Sequence, residues 1–173
     1  MNFVARYEFI YMKSRLLKYV CCFCCLALLV GSTVLFSQDT QPDANKFFII
    51  VASKKNLTEV YEIARTAERK TGIHFRDTKV KVESQGGLTF PLDTCTANGF
   101  SYPCYVPRGR YDDGIYFTIE SSDWFDGFSK GYFMVIAGSS SNSDELKSAL
   151  NKLKPLYPDA YIKNSKVYMG CIH

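Results

Sequence analysis

The stretch FFIIVAS at residues 47–53 returns in related form as YFMVIAGS at residues 132–139. Both are short apolar runs of the kind that form buried β-strands. Each is followed by polar residues that can cap a helix and by apolar residues at helical spacing. The two helical patterns end near Gly72 and Pro155, and a second strand pattern follows each of them. The chain therefore contains one strand–helix–strand unit twice.

Two such units predict an α+β domain, because neither could bury its apolar face alone. We expect a ferredoxin-like split βαβ pair, in which one antiparallel sheet carries two helices on one face. Strand patterns at residues 74–75 and 78–82 complete the first unit, and those at residues 159–162 and 166–171 complete the second. An aromatic-rich insertion with a hairpin, residues 83–130, separates the units. The folded domain is predicted to span residues 46–173.

Composition and charge exclude several classes of protein. The 173 residues are 47% hydrophobic and 22% charged, as in globular domains. Four basic residues and one acidic residue precede residue 38, so that segment carries +3 of the net charge of +4 and the rest of the chain carries +1. A nearly neutral domain gives no reason to expect nucleic acid as a partner.

The N-terminal residues 1–37 have the pattern of an export signal. Basic residues precede an apolar run at residues 19–36, and polar residues follow it. The run is also about as long as a short membrane span, so a retained inner-membrane anchor is the alternative. Met12 begins a more compact signal than Met1 and is a second candidate start. Residues 38–45 are then a polar linker to a domain in the periplasm or cell envelope.

Three cysteines lie outside the apolar run. Cys95 and Cys104 flank a short loop of turn-forming residues, and an oxidising compartment favours a disulfide between them. Cys171 is then unpaired, and we interpret it as a buried strand residue. The four cysteines of the apolar run have no polar surroundings, so we predict no metal site there.

The second unit resembles the SPOR (sporulation-related repeat) family. Residues 131–139 read GYFMVIAGS, a capped helix follows, and the unit ends in strands with DAYI at 159–162 and VYMG at 167–170. SPOR domains are ferredoxin-like modules of the bacterial envelope. The family binds peptidoglycan, with a preference for glycan strands stripped of peptides, on the open face of the sheet. The resemblance implies the same class of ligand here.

The chain departs from SPOR domains in the long insertion and in its two-sided apolar strands. If Phe48, Ile50 and Ala52 face the helices, then Met134 and Ile136 face outward together with Ile49 and Val51. Strands that are apolar on both sides are usually covered on both faces. We therefore expect the insertion to cover the face on which the family binds glycan, and any ligand site to lie in the insertion.

The insertion supplies the candidate binding residues. Between Gly99 and Phe133, 11 of 35 residues are aromatic. Such rings either stack on sugar faces or form core that covers the sheet, and the sequence leaves both readings open. The candidate ligand-binding residues are Arg108, Arg110, Trp124 and Tyr132. Asp113-Gly114 is a turn pair, and the alternation from Ile115 to Ile119 predicts a strand after it.

The sequence predicts no catalytic residue, no metal site and no cofactor. Asp112 and Glu120 are the carboxylates considered for a glycosidase pair, which needs a set separation that a sequence does not reveal. We therefore expect a non-enzymatic envelope protein that binds peptidoglycan glycan strands. A protein-interaction or structural envelope domain that has lost glycan binding, with an envelope protein as partner, is the alternative. A small wall hydrolase ranks third.

Overall fold

The computed structural model describes residues 43–83 and 87–170, which belong to one compact unit, Gln41–His173. The predicted export signal and Cys171 lie outside the described residues. Within them, no helix is long and apolar enough to cross a membrane. The first strand begins at Asp43, so it extends into the predicted linker.

The described residues of this unit form six strands and three helices, with one short 3-10 helix at Ser122–Trp124. In chain order they are β1 Asp43–Lys54, α1 Leu57–Thr71, β2 Lys81–Val82, β3 Leu88–Thr89, α2 Leu92–Ala97, β4 Gly114–Ser121, β5 Phe133–Ser140, α3 Ser143–Leu153 and β6 Tyr161–Tyr168. The Asn56 side chain accepts a hydrogen bond from the Thr58 amide at the start of α1, and Asn142 caps α3 in the same way. Gly72 ends α1 in the left-handed conformation that helix C-termini favour.

The main sheet has the order β4–β5–β1–β6, and every neighbouring pair is antiparallel. Helix α1 joins β1 to β4, and α3 joins β5 to β6, so the two strand–helix–strand connections interleave. This is the ferredoxin-like split βαβ arrangement, and the predicted fold class is confirmed. Strands β2 and β3 form a separate two-stranded hairpin.

The second strand of the first unit differs from the sequence-based prediction. The predicted strand at residues 74–82 contributes one parallel bridge, between Phe75 and Phe117, and the short β2. The sheet strand is instead β4, which lies inside the predicted insertion at residues 83–130. In β4 the side chains from Tyr116 to Ser121 are buried on both faces, whereas both residues of β2 are exposed. Placing β4 in the sheet therefore buries more side-chain surface than placing residues 78–82 there. The described residues that belong neither to the main sheet nor to the strand–helix units are therefore 73–83, 87–113 and 122–132.

The helix-facing side of the sheet forms the larger core. Ile49 and Val51 lie in this core, together with Val60 and Ala64 of α1 and Leu146 of α3. Of the three residues considered for the helix-facing side, Ala52 packs against this core, whereas Phe48 and Ile50 lie on the opposite face. Both faces of β1 are apolar, so its pattern alone could not orient it, and register shifts on either side of Ile50 mark a bulge that alternation does not predict.

The opposite side of the sheet carries a second core. Its buried residues are Phe48, Ile50, Phe125, Met134, Ile136 and Val167. The rings of Phe48 and Phe125 meet edge to face with centroids 5.0 Å apart. A Cβ placed on Gly109 would lie 3.0 Å from Phe48 Cζ, so the backbone at residue 109 runs directly over the ring. Residues outside the sheet thus cover this face, as the apolar pattern led us to expect.

Candidate ligand-binding cleft

Residues 105–113, here called the crossing segment, pass over Phe48 of the second face at Gly109 and are held by Arg108. This side chain is only 3% exposed. Its guanidinium donates to five oxygen atoms: Ser139 Oγ at 3.0 Å, Thr118 Oγ1 at 3.1 Å, and the carbonyls of Tyr116 at 2.6 Å, Ile136 at 3.1 Å and Gly114 at 2.7 Å. It also stacks on the Tyr116 ring, 3.7 Å from the centroid. Arg108 therefore fastens the crossing segment to β4 and β5.

Arg110 attaches the crossing segment to the chain at the end of β6. Its guanidinium donates to the carbonyls of Tyr168, at 2.5 Å, and Gly170. The rings of Tyr111 and Tyr168 flank it, with centroids 5.0 and 5.3 Å away. The buried Nε finds no hydrogen-bond partner among the described residues. Arg110 was predicted to bind ligand, but it is 3% exposed and serves the packing of the domain.

Glu120 of β4 anchors the start of the crossing segment. Its Oε2 accepts from the Tyr105 hydroxyl at 2.5 Å and from the Arg108 amide at 3.2 Å. Burial raises the pKa of the Glu120 carboxyl to about 6, although these donors and the Arg108 charge act in the opposite direction. The carboxylate is committed to bonds within the protein.

Asp112 is the second carboxylate beside the crossing segment. It accepts from the Tyr116 hydroxyl at 2.6 Å and pairs with Arg76. Burial acts to raise the pKa of Asp112, but the bonds from Tyr116 and Arg76 outweigh it, so the pKa lies below its ordinary value. Asp112 and Glu120 were the acids considered for hydrolysis. Both accept hydrogen bonds from donors of the protein.

Two cavities open beside the crossing segment. The inner cavity, of about 270 Å³, is lined by Arg108, Glu120, Asp112 and Tyr105, among others. The outer cleft, of about 700 Å³, is lined by Asp77, Thr78, Lys79, Phe90, Thr94, Asn98, Phe100, Cys104, Val106 and Tyr111. The two share Thr78, Phe90, Val106 and Tyr111, so they adjoin along these residues and are together called the depression. Apolar walls with a few polar groups are usual for sites of small molecules and sugars.

Charges in this depression are balanced. Lys79 pairs with Asp77, Arg76 pairs with Asp112, and Arg108 lies beside Glu120. Aromatic rings line the depression near its surface and farther in: Tyr111 is 72% exposed at the rim, and Phe90 is partly buried. The arrangement can stack on flat apolar faces and exchange hydrogen bonds with hydroxyl groups, without a strong preference for charged ligands.

Trp124 and Tyr132 lie apart from the two buried arginines. Trp124 is half exposed, and its ring stacks on Tyr105 with centroids 5.7 Å apart and an angle of 32°. Tyr105 stacks in turn on Phe90 at 5.2 Å. Tyr132 is partly buried, with the Lys55 ammonium 5.6 Å from its centroid. Of the four predicted residues, only Arg108 lines the inner cavity, and the Trp124 ring joins that cavity's wall through Tyr105.

Sequence reasoning did not single out the lining residues of the outer cleft. Phe90, Phe100, Asp77 and Asn98 come from separate segments that only tertiary packing brings together. Phe100 and Tyr111 were counted among the aromatic residues of the insertion, but neither was named as a candidate binding residue. The sequence signal for a turn before Tyr111 was Gly109, whose φ in the structure is +88°.

The disulfide supports the wall of the outer cleft. Cys95 and Cys104 are bonded with 2.04 Å between the sulfur atoms, as predicted. The Cys104 carbonyl accepts from the Phe90 amide at 2.9 Å and from the Thr89 hydroxyl at 3.1 Å. The disulfide thus ties α2 to Cys104, whose carbonyl is bonded to Thr89 of β3 and to Phe90 directly after it. Among residues 43–83 and 87–170, no group of three or more histidine, cysteine or acidic side chains could hold a metal ion.

No protein-family model, curated protein or solved structure gives a significant match to this chain.

Proposed function

We propose that this protein is an exported envelope protein that binds glycan strands of peptidoglycan through the outer cleft and inner cavity. The observation that carries the proposal is the pair of adjacent cavities in which aromatic rings lie among paired charges. In SPOR domains the open face of the sheet binds the glycan, whereas here Arg108, Gly109 and Phe125 cover the second face. The same segment that covers the face forms the wall of a new cleft beside it.

The chemistry of the cleft suits a chain of sugar rings. Tyr111 presents an exposed ring at a point common to both cavities. Asp77 and Asn98 place a carboxylate and an amide at the rim, where they can bond to hydroxyl and acetamido groups. Because Arg76 and Lys79 are paired with acids, binding is expected to weaken little as salt rises.

Export is supported by the export-like N-terminal pattern and by the Cys95–Cys104 disulfide, which is typical of oxidising compartments. The nearly neutral charge of the domain and the paired cations of the cleft favour a ligand recognised by stacking and hydrogen bonds.

The test is a pull-down of the protein without residues 1–37 on purified sacculi, before and after an amidase has removed the peptides. We expect more protein on the stripped sacculi, and the Tyr111→Ala variant to lose most of that binding. The matched control is Tyr161→Ala on β6, which removes a ring that is 43% exposed and does not line either cavity. Equal absence of binding to both preparations, or a steep loss with salt, would refute the proposal.

A protein-interaction domain is the second candidate, because β6 lies at the edge of the sheet. Its outer side has no neighbouring strand among the described residues, and Tyr161 and Tyr168 are exposed at its two ends. Lys163 and Lys166 lie on the same strand and discourage unspecific pairing. A proline at Asn164 that abolishes association with an envelope protein, while sacculus binding is absent, would favour this candidate.

A further inference from the structure

We propose that Trp124 is a second ring-stacking platform, so that the ligand is a long glycan chain that extends beyond the outer cleft. This inference rests on the proposed function and adds a second binding site to it. Trp124 is half exposed although it is packed on one side by Tyr105. A large ring that is packed on one side and partly open to solvent can stack on the apolar face of a sugar ring.

Hydrogen bonds hold the backbone that carries Trp124, the last residue of the 3-10 helix Ser122–Trp124. The side chain of Asp123, the residue before it, accepts at Oδ1 from the Gly131 amide at 2.8 Å and at Oδ2 from the Ser121 hydroxyl at 3.0 Å. Lys130 donates to the Asp123 carbonyl at 2.8 Å. A ring held in this way loses little conformational entropy when a ligand stacks on it.

A row of rings connects Trp124 to the outer cleft. Phe90 lines both the outer cleft and the inner cavity, Tyr105 lines the inner cavity, and Trp124 stacks on Tyr105. The row therefore leads from the proposed glycan site to an exposed platform. The two steps of the row measure 5.2 and 5.7 Å between centroids, so a ligand that reaches both ends must have more than one sugar ring.

A third cavity adjoins the 3-10 helix that ends at Trp124. It has a volume of about 650 Å³, and Lys55, Asn56, Asp123 and Phe133 are among its lining residues. Trp124 does not line this cavity, but it follows Asp123 in the chain. One cation, one carboxylate and one amide give the cavity a balanced polar lining, as in the outer cleft. Such a lining is compatible with a neutral sugar chain.

Occupying two sites with one chain raises the affinity, since the second contact becomes intramolecular. The Trp124→Ala variant should therefore bind long denuded glycan strands about tenfold more weakly than the wild type. It should bind the GlcNAc–MurNAc disaccharide as the wild type does, because that probe is short enough to be held by the outer cleft alone. Tyr111→Ala should weaken the binding of both probes, Trp124→Phe should restore most of the long-strand affinity, and Tyr161→Ala is the control.

Intrinsic fluorescence tests the platform without a substitution. Trp124 is the only tryptophan of the chain, so its emission reports on this site alone. Long strands should shift its emission to shorter wavelength as the ring leaves water. If long strands bind but leave both the emission and the Trp124→Ala affinity unchanged, the second platform is refuted while the proposed function stands. If the wild type binds neither probe, the proposed function itself fails, and the inference falls with it.

Discussion

Replacing Glu120 by Gln should remove a pH dependence from the stability of the domain. Glu120 is 4% exposed, and burial raises the pKa of its carboxyl from 4.5 to about 6. A carboxyl with a raised pKa in the folded state binds protons more readily there than in the unfolded chain. Its contribution to stability is therefore complete below pH 4.5 and is lost as the pH rises to about 6.

The size of this effect follows from the shift. One pKa unit corresponds to about 1.4 kcal/mol, so Glu120 should lower the free energy of unfolding by about 2 kcal/mol between pH 4.5 and pH 7. Asp77 and Asp112 have lowered pKa values, so their contributions change below this range. Groups common to both proteins cancel when the two pH profiles are subtracted.

Urea unfolding of the wild type and of Glu120→Gln at several pH values between 4.5 and 7 measures the difference. We expect the wild type to lose about 2 kcal/mol more than the variant over this range. The absolute stability of the variant does not matter, because the comparison uses slopes. Parallel pH profiles would show that burial does not raise the pKa of Glu120 and that the reasoning is wrong. Tyr105→Phe removes the 2.5 Å donor and should move the transition to higher pH.

Three further predictions concern the covered face of the sheet. Gly109→Ala should lower the free energy of unfolding by about 2 kcal/mol, because φ is +88° and the new Cβ would lie 3.0 Å from Phe48 Cζ. The control Gly99→Ala, with φ of +76° and open space, should lower it by about 1 kcal/mol in the same thermal unfolding assay, and equal losses would contradict the close approach. Arg108→Met should lower the free energy of unfolding by about 3 kcal/mol in urea, because buried carbonyls of β4 and β5 lose their donor, and a neutral result would remove its fastening role. Phe125→Ala should lower the free energy of unfolding by about 3 kcal/mol or more, whereas Phe128→Ala, at a partly buried ring of the same cluster, should lower it clearly less. Melting temperatures in the reverse order would contradict the second core.

The candidate site was harder to predict from the sequence than the fold. Arg108 and Arg110 were expected on a surface, since isolated arginines between turn residues are usually solvated. Both are buried because backbone carbonyls of β4, β5 and β6 converge on them. Nothing local marks such carbonyls as available. Trp124 was identified from its residue type, and its partner Tyr105 only from the structure.

The sequence by itself determined the strand–helix units, the polar stretches that cap α1 and α3, the end of α1 at Gly72 and the Cys95–Cys104 pairing, and the structure identifies Asn56 and Asn142 as the capping residues. These features depend on neighbours within a few residues, and their patterns are therefore visible in the chain. The tertiary structure alone decided which face of β1 meets the helices, that β4 replaces residues 78–82 in the sheet, and where the outer cleft lies. Each of these depends on competition between segments far apart in the chain for the same apolar surface, and that competition is settled only by packing.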